Sequence, residues 1–251
     1  MVLNLENTGL NSFRMKYKIA LIVLLFSVFG FAQSESNGKL KTVVVTHYEL
    51  GYALHKPANT KDKKPLIVFI SGDGEKGTDI EKVKINGPLK YLKTHPLDAY
   101  VLAPQCKEDE NWNIESINEL ILKIQKENKI DSNRIYVTGL SSGGWAAWNL
   151  ALSYPDKFAA IVPISGFVDL IELESACKIA NIPTRIFHGL LDDVVKVDYA
   201  ITIYKELKKC NAKDVQLTIF DDAGHDSWTR VYDNPEIYDW MFKQIKTNTN
   251  N

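Results

Sequence analysis

Arg134-Ile-Tyr-Val-Thr-Gly-Leu-Ser-Ser-Gly-Gly-Trp145 is the stretch on which the reading of this chain turns. Ile135 to Thr138 are β-formers. Gly139-Leu140-Ser141-Ser142-Gly143 then fits G-x-S-x-G, a sharp strand-to-helix turn that lifts a nucleophilic serine above the end of a parallel sheet. Such a turn brings the residues two before and two after the nucleophile into close backbone approach, so both must be small. Ser141 has Gly139 and Gly143 there, whereas Ser142 would have Leu140 and Gly144. Ser141 is therefore the expected nucleophile, and Ser142 the next residue, whose main-chain N–H faces an oxyanion. A glycine-rich connection with ordinary serines is the bland alternative, and only partners elsewhere in the chain decide against it.

Outward from this turn, the chain alternates strand and helix. Leu66 to Ile70 is a continuous apolar run, as in a strand covered on both faces. Strands are expected at Ala99–Ala103, Arg134–Leu140, Ala159–Ile164, Thr184–Gly189 and Val215–Phe220, and helices at Ile114–Asn128, Gly143–Ser153, Val197–Lys208 and Pro235–Ile245. The segments Leu40–Val45 and Tyr48–Leu54 read as an edge hairpin. Alternating β and α predicts an α/β fold with a doubly wound, mostly parallel sheet and helices on both faces.

Lys16 and Lys18, followed by the apolar run Ile19 to Ala32 ending in Gly30-Phe31-Ala32, read as a secretory signal cleaved before Gln33. The expected organisation is an upstream extension plus signal peptide at 1–32 and a single domain at 33–251, secreted or periplasmic, with no membrane contact after cleavage. The alternative is an uncleaved anchor, although the run is short for a membrane span. With 30 basic and 31 acidic residues and no extended block of one sign, nothing asks for nucleic acid. Cys106, Cys177 and Cys210 form an odd set without C-x-x-C or histidines at metal spacing, so no metal or cofactor is expected. Cys106 with Cys177 is one conceivable disulfide, and three thiols are equally admissible.

Ligands of an open α/β sheet sit beyond the carboxyl ends of its strands. Two strand ends carry suitable groups: His188-Gly-Leu-Leu-Asp192-Asp193-Val-Val195 and Asp221-Asp-Ala-Gly-His225-Asp-Ser-Trp228. A serine hydroxyl needs a base to take its proton and a carboxylate to fix that base's tautomer. His225, just past Gly224 in a loop able to fold over the sheet, is the expected base, whereas His188 sits in the strand-end turn and reads as structural. Asp192 and Asp193 are both candidates for the acid. The main-chain N–H groups of Asp73, in the loop after Leu66–Ile70, and of Ser142 are the expected oxyanion donors. That loop also spells Gly72-x-Gly74-x-x-Gly77, a dinucleotide-binding pattern. Asp73 and Glu75 would set two negative charges against a pyrophosphate, and no helical period starts at the third glycine, so the match is rejected.

Taken together, Ile70 to Gly77, Ala103 to Cys106, Gly139 to Gly144, His188 to Val195 and Ala223 to Trp228 resemble the L-H-G-x-G-E-x-G, A-P-Q-C, G-x-S-x-G-G, H-G-x-x-D-x-x-V and a-G-H-d-x-W motifs of the α/β-hydrolase superfamily. The resemblance is to its compact esterase branch, near dienelactone-hydrolase-like proteins, predicted secreted peptidases and feruloyl or acetyl-xylan esterases. It implies a lidless hydrolase fold with Ser141, Asp192 and His225 as nucleophile, acid and base, the family spacing favouring Asp192 over Asp193. Two departures stand out. Ser71 replaces the family's oxyanion-loop histidine, and a serine stands where true dienelactone hydrolases carry a cysteine.

Among aromatics near the strand ends, Trp112 and Trp228 are the substrate-contact candidates, Phe167 also lies at the rim, and Trp145 is expected to be packing. The function these readings predict is an exported serine hydrolase of carboxylic esters, acting on acetyl or feruloyl esters of carbohydrate. The partner is thus a small-molecule or oligosaccharide ester, and long-chain lipids are disfavoured for want of a lid. A secreted serine peptidase is the alternative within the same chemistry, and a non-catalytic binding module is the alternative from another class.

Overall fold

The computed structural model of the protein describes residues 48–246. Seven strands form one sheet: β1 (Gly51–His55), β2 (Lys64–Ile70), β3 (Tyr100–Gln105), β4 (Ile130–Leu140), β5 (Ala160–Ile164), β6 (Thr184–Gly189) and β7 (Val215–Phe220), in the order β1-β3-β2-β4-β5-β6-β7. Only β1 runs antiparallel, against β3. The strand with the nucleophile turn is therefore central, β2 on one side and β5 on the other. Between the strands lie α1 (Gly87–Tyr91), α2 (Ile114–Glu127), α3 (Ser142–Ser153), α4 (Leu170–Leu173) and α5 (Asp198–Lys209), and after β7 come α6 (Trp228–Tyr232) and α7 (Pro235–Lys243).

The alternation of the pleat sorts the apolar strand residues into two cores. Leu66, Val68, Ile70, Ile135 and Val137 face one side, with Ile117, Ile121 and Ile124 of α2, Trp148 of α3 and Ile203 of α5. Ile67, Phe69 and Tyr136 face the other, against Leu89, Tyr232, Tyr238 and Met241. Each such large side chain, fully buried, stabilises the fold by about 1.5–3 kcal/mol, which explains why β2 shows no polar alternation. The amphipathic stripe of α2 is a core stripe, its N-terminus capped by Asn113 accepting from the Ser116 N–H.

Leu40–Val45, the expected hairpin partner of Tyr48–Leu54, lies outside the described residues; within them the β1 strand pairs with β3, Gly51 opposite Gln105. That pairing also carries β3 on through Pro104 and Gln105, two residues further than the apolar run predicts. The signal segment and the organisation of residues 1–47 likewise lie outside the described residues. Within them, no helix is long and apolar enough to cross a membrane.

The disulfide joins Cys177 to Cys210, their Cα atoms 5.1 Å apart, rather than Cys106 to Cys177. Strand order explains this. Cys106 follows β3, on the far side of β4, while Cys177 lies on the β5–β6 connection and Cys210 caps α5. The buried Cys106 thiol instead donates to the Glu110 carbonyl at 3.3 Å, with the Tyr48 hydroxyl also 3.3 Å away. Closing a loop with a sequence separation of 33 is worth about 2–4 kcal/mol. Cys177→Ser/Cys210→Ser should accordingly lower Tm by roughly 5–15 °C, and reductant should have the same effect on the wild type but none on the double variant.

Candidate active site

The turn after β4 is set by contact between backbones. A Cβ on Gly139 would collide with the Gly143 carbonyl, and one on Gly143 with the Ile70 and Ser71 carbonyls. No side chain fits either position, so the serine between two glycines, Ser141, is the one the turn can present. Its backbone is at φ 54°, ψ −123°, a region that costs a non-glycine residue about 1–3 kcal/mol. The conformation is tied down by the Ser141 N–H donating to Ile164 O (3.0 Å) and by Ser141 O accepting from the N–H groups of Gly144 (2.9 Å) and Trp145 (3.2 Å).

Three strand ends converge there. His225 Nε2 lies 2.9 Å from Ser141 Oγ, and His225 Nδ1 lies 2.8 Å from Asp192 Oδ2. A carboxylate only accepts, so Nδ1 carries the proton and Nε2 is left as the acceptor for the serine hydroxyl. Asp192 is buried, and its Oδ1 accepts from the N–H groups of Val194 (3.0 Å) and Val195 (2.8 Å). Burial pushes its pKa up, but the hydrogen bonds from His225 and from those two amides outweigh this and hold the carboxyl below its usual range. Asp193 is exposed and makes no side-chain contact of this kind. Of the two adjacent acids, the structure brings only Asp192 to the histidine.

His188 is buried behind this pair. Its Nε2 donates to Val195 O at 2.8 Å and lies 3.2 Å from Asp192 Oδ2, while burial holds the imidazole below its ordinary pKa and so neutral. It braces the Asp192 loop. Ser165 braces the histidine loop: at φ 46° after β5, its hydroxyl lies 2.9 Å from His225 O, to which it donates, and 2.8 Å from Ser227 Oγ. Trp228 packs edge-on against the His225 ring, centroids 5.0 Å apart, so this rim candidate touches the candidate base.

The oxyanion candidates occupy the first positions of a 3₁₀ turn (Asp73–Glu75) and of α3, where no intrahelical carbonyl is available to their N–H groups. The two are joined directly, Ser142 Oγ donating to Asp73 Oδ1 at 2.9 Å, and Lys76 Nζ pairs with the same oxygen at 2.8 Å. Burial acts to raise the Asp73 pKa, but the bonds from Lys76 and Ser142 outweigh it and hold the group low. Glu75, only 4% exposed, enters the sequence reading only as a charge against the dinucleotide pattern and as the glutamate of the loop motif, with no role assigned to it. It accepts from the Gly72 N–H (2.8 Å) and from Asn86 Nδ2 (2.6 Å), while Gln105 Nε2 clamps the Glu75 and Asp79 carbonyls at 2.9 and 2.7 Å. These bonds anchor the loop in which Ser71 stands for the expected histidine.

Trp112 is not at the rim: it is 5% exposed and part of the core beside Cys106 and Ile117. The polar loop around it hides an indole turned inward. Conversely, Trp145 is half-buried at the surface, its Nε1 donating to Asp169 Oδ2 at 2.9 Å and its ring stacked on Phe167. Among the described residues, no group of three or more His, Cys, Asp or Glu side chains is arranged to hold a metal.

The sheet order, the turn after its central strand and the strand-end cluster define an α/β-hydrolase fold. The chain belongs to the phospholipase/carboxylesterase family, whose sequence profile matches residues 96–234. It is 26% identical over 200 residues to a probable feruloyl esterase C of Aspergillus flavus, covering 74% of this chain and 71% of that protein. With acyl-protein thioesterase 1 homolog 2 of Dictyostelium discoideum it shares 27% identity over 129 residues, 51% of this chain and 57% of the relative. Among solved structures it is similar to a thermostable esterase, with a TM-score of 0.69 and 32% identity over 80% of this chain and 60% of that one. The chain thus spans less than two thirds of the length of the last two.

The geometry separates the adjacent acids in a measurable way. Asp192→Asn should lower kcat by about three to four orders of magnitude, because an amide can donate to Nδ1 and leave the proton on Nε2. Asp193→Asn should change kcat less than about threefold. Because the Asp192 pKa is depressed in the fold, the stability it contributes is present above the ordinary carboxylate pKa and is lost as pH falls through the folded value. Acid unfolding of Asp192→Asn should lack that component.

Proposed function

We propose that this chain is an exported serine esterase that removes acyl groups, acetyl or hydroxycinnamoyl, from carbohydrate through an acyl-enzyme. The observation that carries the mechanism is the run of two short contacts, Ser141 Oγ to His225 Nε2 at 2.9 Å and His225 Nδ1 to Asp192 Oδ2 at 2.8 Å. In this mechanism Ser141 Oγ attacks the ester carbonyl carbon as its proton passes to Nε2. The imidazolium is stabilised by Asp192, and the carbonyl oxygen, now an oxyanion, accepts from the Asp73 and Ser142 N–H groups. Collapse breaks the bond to the alcohol, which leaves with the proton from Nε2. Water then repeats the sequence on the acyl-enzyme, releasing the acid and restoring Ser141.

The substrate class rests on similarity to the feruloyl esterase and on an open site. Among the described residues no long helix or loop covers Ser141, so short or planar acyl groups on an accessible alcohol suit it better than lipid chains. Export rests on the run ending at Ala32 and would be checked by amino-terminal sequencing of protein recovered outside the cytoplasm, expected to begin at Gln33. A thioester substrate is the second reading, favoured by the Dictyostelium relative's name, and uses the same attack at carbon.

A serine-directed fluorophosphonate should modify one site, and peptide mapping should place it on Ser141. Ser141→Ala should abolish labelling and ester turnover with Tm within a few degrees of wild type. Labelling on Ser142 would reverse the assignment. In a substrate panel, kcat/KM should be higher for acetyl or feruloyl sugar esters than for long-chain esters and acyl thioesters; the opposite order would sink the carbohydrate reading while leaving the triad intact.

A further inference from the structure

Eleven large apolar side chains are exposed among the described residues, and six of them (Leu170, Ile171, Leu190, Leu191, Val194 and Tyr199) fall within residues 170–199. All six follow the carboxyl ends of β5 and β6, the edge of the sheet where Ser141 and His225 meet. Solvent-facing apolar groups are common singly but are not expected to gather on two neighbouring connections unless something covers them.

Three aromatic rings tie this region to the nucleophile. Trp145 lies one helical turn beyond Ser141, its N–H bonded to the Ser141 carbonyl. Its ring is held by the indole N–H to Asp169 and stacks on Phe167, with centroids 6.2 Å apart and planes at 28°. Phe167 in turn meets Tyr199, at 6.0 Å and 58°. The rings make a continuous wall from the first turn of α3, across the end of β5, to the start of α5. Trp145 and Phe167 are half-buried and Tyr199 is exposed. Leu170 and Ile171, 80% and 85% exposed, follow directly on from Phe167 and Asp169.

We propose that Trp145, Phe167 and Tyr199, extended by Leu170 and Ile171, form the subsite for an aromatic acyl group, of the hydroxycinnamoyl kind. This rests on the ester-hydrolase reading above and selects between its two acyl classes. A flat conjugated ring gains offset or edge-to-face contact with the wall as well as apolar burial, and the ring pinned by Asp169 needs little further ordering. An acetyl group is too short to extend along a wall of three rings. The sugar would be the poorer occupant, because beyond the rings its hydroxyls would lie against Leu170 and Ile171, which offer no hydrogen bonds. The acyl end therefore takes the wall, and the alcohol faces solvent.

The test uses two esters of one sugar, feruloyl and acetyl, with the wild type, Phe167→Ala, Tyr199→Ala and the double variant, each checked by thermal melting. The expected result is a loss of kcat/KM at least tenfold larger for the feruloyl than for the acetyl ester, carried mainly by KM. Equal losses on both esters, or none on either, would overturn the subsite. Equal losses would instead make the wall a platform for the sugar. Should the variants not fold, product inhibition of the wild type serves: ferulate should inhibit competitively at a concentration at least tenfold below acetate, and comparable inhibition would overturn the proposal. Wild-type protein inactive on both esters would refute the esterase reading itself, whereas acetyl turnover without the differential would refute only the aromatic subsite.

Discussion

Everything at this site depends on one close approach between backbones. Gly139 and Gly143 leave no space between the end of β4, the first turn of α3 and the Ile70 and Ser71 carbonyls at the end of β2. That contact forces Ser141 into its left-handed conformation. It also fixes the distance between the nucleophile and the loop that starts at Gly72, because the carbonyls touching Gly143 belong to the residues that lead into that loop. Nucleophile and oxyanion candidates are in this way parts of one packed unit, and the Ser142–Asp73 hydrogen bond closes it. A strained residue persists only where its surroundings over-determine it, and here three main-chain hydrogen bonds and two glycine contacts do so.

The same economy holds at the acid. Asp192 is a buried carboxylate, which is costly unless its lone pairs are filled. Two amides fill Oδ1, and both histidines lie close to Oδ2, His225 at 2.8 Å and His188 at 3.2 Å. Only one of the histidines is free to do chemistry. His188 is sealed in, kept neutral by burial, and spends its Nε2 proton on the Val195 carbonyl, whereas His225 lies partly open with its Nε2 toward Ser141. Burial rather than residue type separates the brace from the candidate base.

This separation shows what sequence could and could not disclose. The apolar run of β2 revealed a covered sheet because a strand buried on both faces has no polar period. The small residues around Ser141 pointed to it as the residue that the turn presents, because steric demands at the turn are local. Adjacent Asp192 and Asp193, however, differ only in which way the chain turns after Gly189, and local pattern alone does not distinguish them. Trp112 was misplaced for a similar reason, since Lys107–Asn113 is polar in composition although its tryptophan points into the core. The disulfide depended on strand order, a global property. Segments of four or five residues such as α1, α4 and α6 are too short for a helical period to register.

Glu75 and Ser165 mark a further limit. Each acts through a hydrogen bond to main chain, Glu75 accepting from Gly72 in its own loop and Ser165 donating to His225 in another, and neither belongs to the Ser–His–Asp set. Both bonds nevertheless join connections that follow different strands or hold a single loop in shape, so they convert a sheet edge into a site of fixed dimensions. The rigid half of that edge is the side toward β2, with Glu75, Gln105 and the paired Asp73. The half toward β5 and β6 carries the exposed apolar residues and a four-residue helix with no buried side chain. Bond-making groups need positions fixed to a fraction of an ångström, whereas an apolar substrate group is held by area and tolerates small displacements. A division of the sheet edge into a polar, braced half and an apolar, lightly supported half is therefore what one fold needs in order to keep its chemistry constant while the group it accepts is set by a few surface side chains.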